Sequence, residues 1–167
     1  MPLKAGDSAP RLTLPSHDLE EISLSDYRGE RPVVLLFFPL AFTSTCTAEL
    51  CTVGEDLATY RALDAEVLAI SVDSPFVLQR FRNECGAEFP FLSDFHREAA
   101  EAFGVAREAP LGPGLRGVSD RAAFVISREG EIAYAWHSTN PGQLPPFDEI
   151  KAALGELARD GRVRTPA

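Results

Sequence analysis

Val33-Val34-Leu35-Leu36-Phe37-Phe38 runs straight into Pro39-Leu40-Ala41-Phe42-Thr43-Ser44-Thr45-Cys46, and this stretch decides the fold. Its first half is apolar without alternation, which suits a strand buried on both faces of a sheet rather than one with a wet side. Pro39 halts the strand, because a proline gives no N–H to the ladder. Thr43 and Ser44 are each a suitable helix N-cap, so a helix is expected to open there and carry Cys46 in its first turn. Free backbone N–H groups and the positive end of the helix dipole then face the sulfur. A thiolate, not a thiol, attacks an electrophile such as a peroxide oxygen, so a position that favours the thiolate is a catalytic position.

Working outward, Thr45 to Leu63 has helical spacing, with Leu50, Val53, Leu57 and Tyr60 on one side. Glu66 to Val72 (EVLAISV) is a second such strand, so the three pieces make a strand–helix–strand unit with parallel strands. Ser74-Pro75 opens a further helix through about Glu84, and Arg97 to Phe103 is a short helix stopped by Gly104. Ala122 to Ile126 and Ile132 to Trp136 flank Gly130 as a hairpin, and Phe147 to Leu157 is a closing amphipathic helix. At the other end, Leu12 to Leu14 and Glu21 to Leu24 read as short strands around Pro15-Ser16-His17-Asp18. The expected architecture is α/β, a mixed central sheet flanked by helices with an N-terminal β-hairpin. One domain is expected over residues 1–158, with 159–167 as a loose C-terminal tail.

Composition narrows the function. With 25 acidic against 16 basic residues among 167, the net charge is −9, which repels phosphate backbones and anionic lipid. Neither nucleic acid nor membrane is an expected partner. The first residues hold no signal-like apolar run, and Pro32 to Phe42 is too short to span a bilayer, so the expected location is cytoplasmic. The three cysteines, Cys46, Cys51 and Cys85, are an odd set for a static disulfide framework and point to thiol chemistry. His17, His96 and His137 are scattered without metal-ligand spacing, and no glycine-rich nucleotide loop is present, so neither a metal nor an organic cofactor is expected.

Pro39, Thr43 and Cys46 reproduce a P-x-x-x-T-x-x-C pattern, and the surrounding FFPLAFTSTCTAEL resembles the AhpE-type branch of the peroxiredoxin family, the AhpC/TSA-type domains. The similarity extends to Gly6–Leu14, Ala69–Ser74, Phe89–Asp94 and Arg121–Ile126, in the expected order. It implies a thioredoxin-like fold and a thiol-dependent peroxidase acting on hydrogen peroxide and organic hydroperoxides. In that scheme Cys46 is the peroxidatic cysteine and Thr43 the hydroxyl that meets the hydroperoxide. Pro39 shields the thiolate, and Arg121 lies beside the sulfur. Glu49, one helical turn beyond Cys46, is similar to a glutamate that orients that arginine.

Cys51 is five residues past Cys46, a spacing that resembles the PrxQ (bacterioferritin comigratory protein) branch, where the second cysteine resolves the sulfenic acid. In an ideal helix two such Cα atoms are roughly 8.6 Å apart, beyond the roughly 7 Å a disulfide allows, so resolution by Cys51 requires the helix start to unwind. The alternatives are a one-cysteine enzyme with a structural Cys51, or a non-enzymatic thiol redox sensor. Cys85, at a helix end, reads as a structural thiol or a different resolving cysteine. The implied partner is thioredoxin or another dithiol reductant, and the resemblance leaves monomer and homodimer both open.

Overall fold

A computed structural model describes residues 2–164. Strands β3 (Val33–Phe37), β4 (Glu66–Ser71), β5 (Phe91–Ser93), β6 (Arg121–Ile126) and β7 (Ile132–Ser138) form one mixed sheet in the order β5-β4-β3-β6-β7. β3 pairs in parallel with β4, and β4 with β5, while β6 runs antiparallel between β3 and β7. A separate hairpin, β1 (Thr13–Pro15) with β2 (Glu21–Ser23), docks on the sheet edge through a bridge from Ser16 to Leu92.

The unbroken apolar run of β3 is explained by what lies on each side. Val34, Leu36 and Phe38 face one core cluster, and Val33, Leu35 and Phe37 the other, all nearly or fully buried. Helices α1 (Ser44–Glu55), α2 (Leu57–Ala62), α3 (Pro75–Cys85) and α5 (Phe147–Arg164) supply the first cluster with Leu50, Val53, Leu57, Tyr60, Leu78, Phe81, Ile150 and Leu154. The second is closed by the hairpin's Leu14 and by Ala99 and Ala100 of α4 (Glu98–Ala102). The whole sheet is therefore a filling between two apolar layers, as expected of α/β packing.

Four local readings need correction. The helix expected over Thr45–Leu63 is two helices, broken at Asp56 (φ −101°, ψ 13°). The Asp56 carboxylate accepts from the Thr59 hydroxyl and pairs with Lys151 of α5, contacts that reward leaving the regular helical path. β5 escaped notice because three residues after a proline carry no readable periodicity. Thr43 does occupy the N-cap position of α1, but its hydroxyl does not cap; it donates backwards to the Leu40 carbonyl at 3.1 Å. The expected loose tail at 159–167 is helical as far as Arg164, and its remainder lies outside the described residues. The Ser74 cap behaves as expected, accepting from the Val77 amide at 3.3 Å with Pro75 behind it.

Candidate active site

The site sits where β3 gives way to α1. Phe38 still donates to Ile70 of β4 at 3.0 Å, Pro39 is buried, and the chain then turns through Phe42, which holds φ +68°. That left-handed conformation is uncommon for a residue with a bulky side chain and marks a constrained turn. The Phe42 ring lies half-exposed against Phe81 of α3, with centroids 5.1 Å apart. Asp73, just past the end of β4, holds the turn from the other side: its carboxylate accepts from the Ala41 amide at 2.8 Å and from the Ser71 hydroxyl at 2.7 Å.

Cys46 is the third residue of α1, so its amide is one of those left without an intrahelical acceptor. Arg121, at the first position of β6, points its guanidinium at the sulfur, with Nη2 to Sγ at 3.1 Å. The same nitrogen donates to the Pro141 carbonyl at 2.8 Å, and Nη1 donates to Glu49 Oε1 at 2.5 Å. Arg121 and Glu49 are almost completely buried, and Cys46 has 0% exposure. Burial lifts the Glu49 carboxyl to about 7, even though the Arg121 charge and hydrogen bond pull it down. A guanidinium keeps its charge at any working pH, so negative charge on the Cys46 sulfur always has a partner. The arrangement is built to hold an anion on sulfur and to receive charge that develops on an oxygen beside it.

A sequence model of the AhpC/TSA family matches residues 5–135. The chain belongs to that family. It is a peroxiredoxin, a thiol-dependent peroxidase on a thioredoxin-like fold. Peroxiredoxin Bcp of Escherichia coli is 36% identical over 136 residues, covering 81% of this chain and 86% of that protein. Alkyl hydroperoxide reductase E of Mycobacterium bovis is 36% identical over 144 residues, covering 85% and 90%. The solved structure of the Xanthomonas campestris bacterioferritin comigratory protein, studied for alkyl peroxide reduction, superposes with a TM-score of 0.80 at 25% identity, over 92% of this chain and 99% of that one.

Within this peroxiredoxin, Cys46, Glu49 and Arg121 come together, and Thr43 and Pro39 lie in the segment leading into them. Cys51 does not join them. It lies within α1, half-buried, and its thiol is within interaction range of the thiol of Cys85 at the end of α3. Two contributors carried no assigned role in the sequence. Asp73 stands within the similar segment ending at Ser74, but only its contact with Ala41 shows its purpose. The Pro141 carbonyl is a backbone group, which a sequence pattern cannot single out. A groove of about 400 Å³, lined by Arg11, Tyr27, Arg28 and Ile126 among others, opens at the opposite end of β3 and takes no part in the site. Among the described residues no helix is long and apolar enough to cross a membrane.

Proposed function

We propose that this peroxiredoxin reduces hydrogen peroxide and organic hydroperoxides in a cycle that starts at Cys46 and is resolved within the chain by Cys51. The Arg121 guanidinium 3.1 Å from Sγ carries the reading, because it sets a fixed positive charge against the sulfur in a place that has excluded water. The thiolate attacks the terminal peroxide oxygen and the O–O bond breaks. The leaving alkoxide or hydroxide takes up a proton, and the sulfur becomes a sulfenic acid. Thr43, whose proton is already given to Leu40, has lone pairs free to accept from the hydroperoxide. Pro39 excludes water behind the sulfur, and Glu49 fixes the guanidinium plane.

Since Cys46 has no exposed surface, the peroxide reaches it through a local opening of the Pro39–Ser44 turn or of the strand-end segment that places Pro141. After oxidation the first turn of α1 unwinds and the Cys51 thiol attacks the sulfenic sulfur. Water leaves and a Cys46–Cys51 disulfide forms, which thioredoxin or a similar dithiol then reduces. Support comes from the spacing and from the relatives named for peroxide reduction.

The test is a thiol census by mass spectrometry after a single equivalent of peroxide. Loss of Cys46 and Cys51 as free thiols in the earliest acid-trapped samples, with turnover restored by a dithiol donor, is the expected result. A sulfenic acid that persists on Cys46 beside a free Cys51 would remove Cys51 from the cycle. Consumption that stops near one equivalent per chain with a donor present would argue for a sensor.

A further inference from the structure

Cys85 is the thiol that the peroxidase cycle does not use, and the fold puts it against the one that the cycle does. Cys85 is the last residue of α3, half-buried against the core layer that α1 also fills, and its thiol lies within interaction range of Cys51 on α1. The two helices are close here for a packing reason. A Cβ added to Gly54, one turn beyond Cys51, would stand 3.5 Å from the Cα of Ala87, two residues beyond Cys85. Gly86, at φ +64°, turns the chain so that Ala87 can enter the core beside Val53. The thiol pair therefore sits next to a close backbone approach, with Gly54 packed on Ala87 just past both cysteines.

We propose that Cys51 and Cys85 form a second redox site, to which the disulfide made at Cys46 is passed before the reductant acts. The inference rests on the reading of Cys51 as the resolving cysteine. In the step, the Cys85 thiol gives its proton to solvent water and its sulfur attacks the Cys51 sulfur of the Cys46–Cys51 disulfide. The Cys51–Cys85 bond forms, the Cys46–Cys51 bond breaks, and the electron pair leaves on Cys46. No outside oxidant or reductant enters the exchange.

Three observations favour this direction. Only the first turn of α1 must unwind for Cys46 to reach Cys51, so Cys51 stays at α3 while the first disulfide forms. The expelled Cys46 sulfur returns to the Arg121 guanidinium, where its charge is held, and α1 can close again. Burial, Cys51 and the neighbouring Glu84 push the Cys85 thiol up to about 12, so it holds its sulfur better in a disulfide than as an anion. The same burial keeps Cys85 from competing with Cys46 for peroxide. The chain then stores its oxidation between two half-buried cysteines with the active-site helix intact.

Disulfide mapping under non-reducing conditions, with samples trapped in acid through time after one equivalent of peroxide, follows the exchange directly. Cys46–Cys51 peptides are expected first and Cys51–Cys85 peptides at the end point. With excess peroxide and no donor, wild type consumes at least two equivalents per chain, one to make the disulfide and one or more to carry the freed Cys46 up the oxidation ladder; Cys85→Ser consumes about one and ends as Cys46–Cys51. A wild-type chain that stops at Cys46–Cys51 overturns the relay alone. One whose Cys46 resists peroxide overturns the peroxidase reading and the relay with it. The pair is judged independently by diamide treatment of Cys46→Ser, with Cys46→Ala in parallel. Formation of Cys51–Cys85 without loss of helical circular dichroism is expected, and failure to form it overturns the second site whatever Cys46 does.

Discussion

At the scale of single residues, Arg121 has two duties that pull its replacement in different directions. It faces the Cys46 sulfur, the proposed nucleophile, and it neutralises a carboxylate with no water around it. Removing one member of a buried ion pair leaves the other uncompensated, which costs about 3–5 kcal/mol when the survivor stays charged. Arg121→Ala is therefore expected both to slow peroxide consumption severely and to destabilise the fold in urea unfolding by an amount that grows as pH rises above 7, where Glu49 gives up its proton. Adding Glu49→Gln to it should recover most of the stability and none of the rate. A double variant as unstable as the single would contradict the pairing. Glu49 itself makes a pH prediction. Its carboxyl is raised in the folded state from 4.5 to about 7, so the native chain holds that proton more tightly than the unfolded one. The resulting stabilisation is complete below the unfolded value and is lost as pH climbs towards 7, by roughly 3 kcal/mol in all. Urea unfolding across that interval should fall more steeply with pH in wild type than in Glu49→Gln. Parallel profiles would show that Glu49 ionises normally.

At the scale of elements, the site depends on where β3 stops and α1 starts, and most of that junction was legible in the sequence. The apolar run, Pro39 and the hydroxyl pair before Cys46 placed strand, break and helix correctly to within a residue. The details that went astray are those decided by side chains arriving from far along the chain. Thr43 looked like a capping hydroxyl, yet the turn shape gives it the Leu40 carbonyl. Asp56 looked helical until Lys151 and Thr59 claimed its carboxylate. Cys85 looked incidental because nothing local says that the end of α3 packs on the middle of α1. Asp73 belongs to the same group and offers a test. It joins the end of β4 to the Ala41 amide, so Asp73→Ala frees the turn that carries Phe42 and Thr43. A lost hydrogen bond to a charged acceptor costs about 1.5–3 kcal/mol, and the loosened turn should misplace Thr43. Peroxide consumption is expected to fall with Asp73→Ala while the far-ultraviolet circular dichroism stays that of wild type. Full activity in this variant would show that the tether does not position the turn.

At the scale of the molecule, the sheet divides the core into two layers, and only one of them holds Cys46, the proposed nucleophile. Leu35 and Leu36 are neighbours in β3, 0% and 1% exposed, and they face opposite layers. Leu36 shares its layer with Cys46, Leu50 and Val53 of α1, whereas Leu35 shares the other with Phe37, Ala99 and Phe124. Truncating either to alanine removes the same atoms from a fully buried place and is expected to cost about 2–5 kcal/mol. Their effects on the reaction should nonetheless differ. A cavity under α1 lets the helix that carries Cys46 settle away from Arg121, and the 3.1 Å contact does not survive a displacement of even an ångström. A cavity on the far side is met first by the hairpin and α4, which touch no reacting group. Leu36→Ala is thus expected to slow Cys46 oxidation well beyond Leu35→Ala at matched loss of stability, measured by stopped-flow peroxide consumption against urea unfolding of the same samples. Equal slowing by the two would mean that strain crosses the sheet freely, and that the two layers do not act as separate supports.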